Sequence, residues 1–147
     1  MRRNRADRLF FKERRNRRIL ITMEVYDVIY VDDEDTLTSL FNRLSQTIYP
    51  GKRVRTYTDI GDLLDDLRNR RVVARNWLVD IMMRKMDING YQIAEEVRKK
   101  YGNKVRVYYY TALNEAAVKT NPSVKYANGV FYKCQDTPMD VLERIFR

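Results

Sequence analysis

Five side chains have the types and placement to do chemistry together: Asp32, Asp33, Asp80, Thr111 and Lys133. Each stands where a short apolar run stops, VIYV (28–31) before Asp32, WLV (77–79) before Asp80, VYYY (107–110) before Thr111 and VFY (130–132) before Lys133. Short apolar runs separated by helix-length segments read as buried parallel strands, and open parallel sheets collect their reactive groups at the strands' carboxyl ends. Three carboxylates, a hydroxyl and an ammonium therefore converge on one edge. Carboxylates bind hard divalent cations, while a hydroxyl and a cation hold phosphate oxygens, so the set suits phosphoryl chemistry.

The elements that position these groups follow from the periodicity. A strand is expected over 26–31, then a helix carrying Leu37, Leu40, Phe41, Leu44 and Ile48 that stops at Pro50-Gly51. Val54–Tyr57 reads as an edge strand, and Thr58 or Asp59 as the cap of a helix with Ile60, Leu63, Leu64 and Leu67 inward. A central strand over 77–79 precedes a loop and a helix lined by Ile93, Ala94, Val97 and Tyr101, which Gly102 ends. The fourth strand spans 105–110 and puts Tyr109 on the face opposite Tyr108 and Tyr110. A fourth helix over 112–119, a strand over 129–132 and a last helix capped by Thr137, with Pro138 in its first turn, complete the chain. The expected fold is α/β: a flavodoxin-like, doubly wound five-stranded parallel sheet with five flanking helices.

With 147 residues, the chain has room for one core. Histidine is absent, which removes the usual general base, the usual zinc ligand and any internal phosphohistidine. The lone Cys134 excludes an intramolecular disulfide and fits a reducing cytoplasm; with no apolar stretch long enough for a bilayer, the expectation is a cytoplasmic protein without a membrane partner. The net charge of +9 is unevenly spread, because residues 1–22 hold nine Lys or Arg against Asp7 and Glu13 and leave 20 basic and 18 acidic residues in the remainder. The division expected is a flexible basic extension over 1–22 and a nearly neutral globular unit over 23–147. The extension is either solvated or an electrostatic anchor for nucleic acid or another acidic surface.

The words VDDE (31–34), LVDIMM (78–83), MDINGYQIAEEVRKKY (86–101), TA (111–112) and YK (132–133), taken in order, resemble the receiver domain of two-component response regulators, most closely stand-alone receivers of the chemotaxis type. The resemblance covers 24–147. It implies a phosphoacceptor switch in which Asp80 is phosphorylated with Mg2+ (or Mn2+) as cofactor. Magnesium keeps several waters and takes few carboxylates, which points to Asp33 and Asp80 as direct ligands. By resemblance, Asp32 acts through a metal-bound water and the Met82 backbone carbonyl is a further ligand. Asp80 is then the nucleophile, Lys133 a point charge on a phosphoryl oxygen and Thr111 a hydroxyl donor. The implied partners are a histidine kinase or a histidine phosphotransfer protein and an unidentified downstream protein, with homodimerisation left open.

Three departures stand out. Cys134 replaces the proline that usually follows the lysine through a cis bond; that bond costs about 2.5–4 kcal/mol before other residues, so a rearranged loop is expected. Val130 replaces the aromatic residue common three positions before the lysine, leaving Tyr132 or Tyr110 to couple Thr111 to the last strand. Arg84 and Lys85 replace proline and glycine after Asp80, and Ile88-Asn89 look inserted. These favour one alternative, a degenerate receiver serving as a docking or dimerisation module. A second alternative, a haloacid-dehalogenase-like phosphatase using Asp33-Glu34-Asp35, has Leu37 where its threonine or valine belongs.

The charge distribution predicts that any salt-dependent nucleic-acid binding resides in residues 1–22 and is lost on truncation to Met23. Titrating both forms with duplex and single-stranded DNA at two salt concentrations checks this, and binding that survives truncation contradicts it.

Overall fold

Parallel strands of β-branched and aromatic residues alternate with capped helices along the computed structural model, which describes residues 23–84 and 88–147. The strands are β1 (Glu24–Val31), β2 (Val54–Tyr57), β3 (Val72–Val79), β4 (Arg106–Thr111) and β5 (Gly129–Tyr132), and the helices are α1 (Asp35–Ile48), α2 (Ile60–Arg68), α3 (Gly90–Tyr101), α4 (Glu115–Lys119) and α5 (Pro138–Ile145). All pairings are parallel in the order β2-β1-β3-β4-β5. The doubly wound five-stranded sheet with five helices is therefore present as expected. Among the described residues no helix is long and apolar enough to cross a membrane. The basic extension and the Lys85 replacement lie outside the described residues.

Strand alternation divides the core into two layers. One face sends Ile29, Trp77, Val79 and Tyr109 against Ile60, Leu63 and Leu67 of α2, Ile93 and Val97 of α3 and Val118 of α4. The other sends Val28, Tyr30, Leu78 and Tyr110 against Phe41 of α1 and Val141 and Leu142 of α5. Tyr109 and Tyr110 thus face opposite layers, as the alternation predicts.

Local side chains fix the helix ends. The Asp59 carboxylate accepts the Asp62 N–H at 3.2 Å to start α2. Reciprocal capping boxes, Asn89 with Gln92 and Thr137 with Asp140, start α3 and α5. Gly102, at φ 56°, ends α3 in the left-handed region that favours glycine.

Two expectations need correcting. β3 begins at Val72 and not at Trp77: Arg75 and Asn76 interrupt the apolar run, yet the first half of the strand pairs with β1 from Glu24 onward. Only the second half is flanked by β4, whose pairing starts at Asn76, so Arg75 remains exposed beside it. The fourth helix is a short α4 that starts at Glu115, capped by Asn114. A 3₁₀ turn over Pro122–Tyr126 follows it, because the missing N–H of Pro122 and the Asn121 cap restart the chain there.

Gly90, the first residue of α3, lies against the main chain at Asp80: a Cβ added there would sit 2.1 Å from the Asp80 carbonyl oxygen. Its own N–H donates to the Ile81 carbonyl at 2.9 Å. Gly90→Ala is expected to destabilise the fold by about 1–3 kcal/mol through forced displacement of backbone. Urea unfolding measures this, and an unchanged midpoint contradicts the close approach.

Candidate functional site

β1, β3, β4 and β5 end together, and the residues that follow their last apolar positions gather at and behind one cleft. Asp32 and Asp80 are held in step because the Asp80 N–H donates to the Val31 carbonyl at 2.9 Å. Lys133 is tied to the neighbouring strand end by its N–H, which donates to the Thr111 carbonyl at 2.8 Å. The cleft holds about 280 Å³ and is lined by Asp33, Glu34, Asp80, Met82, Arg84, Ala112 and Lys133. Asp32 and Thr111, both fully buried, lie behind it.

The carboxylates are packed closely. One oxygen from each of Asp32, Asp33 and Asp80 lies within 4.8 Å of the others. Asp80 is 3% exposed and Asp33 8%. The Lys133 ammonium donates to Asp32 Oδ2 at 2.8 Å and lies 3.5 Å from Asp80 Oδ1 and 3.4 Å from Glu34 Oε2. Two buried carboxylates thus share one ammonium. Burial first, then the charge of Asp32, pushes the Asp80 carboxyl up to about 7, against the opposing pull of Lys133. Burial draws the Lys133 pKa down, but the hydrogen bond and charge of Asp32, with Asp80 and Glu34 behind them, outweigh it and leave that pKa raised.

Thr111 joins the site from β4. Its Oγ1 accepts the Leu113 N–H at 3.0 Å, which uses a lone pair and leaves the hydroxyl proton available. Met82 follows Asp80 by two residues and presents an exposed side chain to the cleft. All the side chains proposed from the sequence are therefore brought to one edge, and Arg84 is there with them.

Sequence reasoning missed Tyr30 and Glu34. The Tyr30 hydroxyl donates to Asp32 Oδ2 at 2.5 Å, onto the same oxygen that Lys133 holds. Burial, the charge of Asp32 and that hydrogen bond together raise the Tyr30 pKa far above its ordinary range, so the phenol remains a donor. The signal was available: residues two apart on a strand share a face, and Tyr30 is the only hydroxyl in its apolar run. Glu34 is the N-cap of α1, and its own side chain makes no capping bond there. Instead its N–H donates to Asp32 Oδ1 at 3.0 Å while its carboxylate reaches Lys133.

The loop after Lys133 is arranged without a cis bond. Asp136 organises it: its N–H donates to the Tyr132 carbonyl at 2.7 Å, its carboxylate accepts the Tyr132 N–H at 3.0 Å, and its carbonyl accepts the Tyr110 hydroxyl at 2.7 Å. Cys134 is exposed on that loop.

As a donor set for a divalent cation the site fits: hard oxygen ligands from three converging carboxylates, with one ammonium facing them. No family model matches the chain, and no curated protein matches it. Solved structures do. The response regulator TrrA of Thermotoga maritima, in complex with Mg2+ and BeF, matches at 22% identity over 83% of this chain and 95% of that one, with a TM-score of 0.64. A two-component response regulator from Legionella pneumophila matches at 19% identity over 82% and 95%, with a TM-score of 0.67. A CheY-like receiver domain protein from Methanospirillum hungatei matches at 18% over 85% and 92%, with a TM-score of 0.64. The fold is that of response regulator receiver domains.

An unfolded aspartate titrates near 3.9, so ionising Asp80 in the folded chain opposes folding: its contribution is most favourable below about pH 4 and is lost as pH rises to about 7. In metal-free buffer at pH 8, Asp80→Asn is expected to melt about 5 °C above the unsubstituted chain, with the gap closing towards pH 4. Thermal melts across this range check it, and a variant that melts lower at pH 8 contradicts it.

Proposed function

We propose that this chain is a phosphoacceptor switch of a two-component or phosphorelay system, in which Asp80 takes a phosphoryl group from the phosphohistidine of a histidine kinase or a histidine phosphotransfer protein. One observation carries the reading: buried Asp80, flanked by Asp32 and Asp33 and faced by Lys133, at the strand ends of a receiver fold. The absence of histidine agrees with a donor located on another protein.

In this reading an Asp80 carboxylate oxygen attacks phosphorus in line; the O–P bond forms, the P–N bond of the donor imidazole breaks, and the imidazole leaves with the electron pair. Lys133 favours the ionised nucleophile beforehand and holds a phosphoryl oxygen afterwards. Thr111 turns its hydroxyl proton to a second phosphoryl oxygen, and the buried floor beneath Asp80 keeps water from one side of the acyl phosphate. Asp33 and Asp80, with Asp32 through a water and the Met82 carbonyl, would hold Mg2+ or Mn2+. That cation supplies positive charge to the crowded carboxylates and to the oxygens of the transferring group.

One phosphoryl per chain and no turnover make the protein a signalling device and not an enzyme in the usual sense. Phosphorylation shifts a two-state equilibrium and changes which downstream protein binds, or whether a second copy does. The residues that must move lie between Thr111 and the start of α5. With Val130 in place of a ring, the buried tyrosine on that path is Tyr110, whose ring centroid lies 5.8 Å from the Lys133 ammonium and whose hydroxyl donates to the Asp136 carbonyl.

Incubation with a small acyl phosphate and Mg2+ is expected to add one phosphoryl group by intact mass, with none added to Asp80→Asn or without the cation. A chain that gains nothing, or an Asp80→Asn variant that gains equally, contradicts the proposal and leaves a docking module as the reading.

A further inference from the structure

Asp32 Oδ2 receives two donors from opposite directions, the Tyr30 hydroxyl at 2.5 Å from within the core and the Lys133 ammonium at 2.8 Å from the cleft. Asp32 Oδ1 receives the Glu34 N–H. Asp32 is fully buried, so bulk solvent does not replace a donor that departs, and the water through which it would reach a cation is the one other donor open to it. Tyr30 cannot depart. Its ring is fully buried, 4.8 Å from the Phe41 ring and 6.0 Å from that of Tyr110, between β1 and α1. Lys133 can, because its side chain retains 15% exposure and its ammonium already lies 3.5 Å from Asp80.

We propose that Tyr30 is a positioning residue of the phosphoacceptor site: by keeping a donor on Asp32, it frees Lys133 to leave that carboxylate for a phosphoryl oxygen on Asp80. The inference rests on the phosphoacceptor reading above. With the phenol present, Asp32 loses one of two donors to Oδ2 when Lys133 swings. Without it, Lys133 is the one side-chain donor left on that buried oxygen, so the ammonium stays where it is. Tyr30 therefore favours the phosphorylated arrangement over the resting one without touching the reacting atoms. Removing a hydrogen-bond partner one shell out from a metal or reactive group commonly costs about 10- to 100-fold.

Tyr30→Phe deletes the hydroxyl and keeps the ring that packs on Phe41 and Tyr110. Three quantities separate positioning from packing: the melting temperature without metal, the Mg2+ dissociation constant by calorimetry, and the affinity for beryllofluoride, a phosphoryl mimic, at saturating Mg2+. The expected result is a roughly tenfold or greater loss of beryllofluoride affinity at saturating Mg2+, larger than any loss of Mg2+ affinity, with a modest drop in melting temperature from the one buried hydrogen bond removed. Equal beryllofluoride affinity in parent and variant overturns the inference. So does an equal fold loss of both affinities, which would make Tyr30 a packing residue. A parent chain that binds no beryllofluoride overturns the phosphoacceptor reading itself and the role of Tyr30 with it.

Discussion

Two buried carboxylates, Asp32 and Asp80, share the single ammonium of Lys133, and the rest of the site is organised around that imbalance. Like charges removed from water resist ionisation together, which is why the Asp80 carboxyl is raised while Lys133 is kept charged. A chain selected only for stability would place apolar groups here. This one keeps the carboxylates and builds four strand ends to hold them.

The fold delivers that convergence through parallel register. β1 lies between β2 and β3, so Val31 pairs with Val79 and the residues that follow, Asp32 and Asp80, emerge side by side. β4 and β5 are joined the same way, with Thr111 opposite Tyr132 and Lys133 one step beyond. Beneath the edge, the rings of Tyr30, Phe41 and Tyr110 form a rigid layer between the sheet and α1 and α5. Two of those rings carry hydroxyls that reach the edge, one to the Asp32 carboxylate and one to the loop that carries Lys133. On the other side, Gly90 lets the start of α3 approach the Asp80 main chain more closely than any side chain would allow.

Much of this was legible in the sequence because the relevant signals are local. The runs ending at Asp32, Asp80, Thr111 and Lys133 marked the edge, and caps such as Asp59 and Thr137 marked helix starts within a residue. The length of β3 was not legible, since Arg75 and Asn76 look like an interruption until β4 is known to begin beside Asn76. The short α4 was over-extended because Ala112 and Leu113 continue a helical pattern that the Asn114 cap cuts. Tyr30 stood only as one residue of the apolar run before Asp32, and it does pack in the core; that its hydroxyl also ends on Asp32 depends on the rotamer its neighbours impose, and no single-residue propensity carries that. The loop at Cys134 shows the same limit, because Asp136 replaces the missing proline through hydrogen bonds made across the strand end.

The central claim is electrostatic: Asp80 is a carboxylate held in reserve by burial and by Asp32. Its titration can be followed directly by the ¹³C resonance of its carboxyl carbon in metal-free protein. The account predicts a midpoint near 7 that moves sharply downward when Mg2+ is added. A midpoint near the ordinary value of about 4, indifferent to the cation, would contradict it.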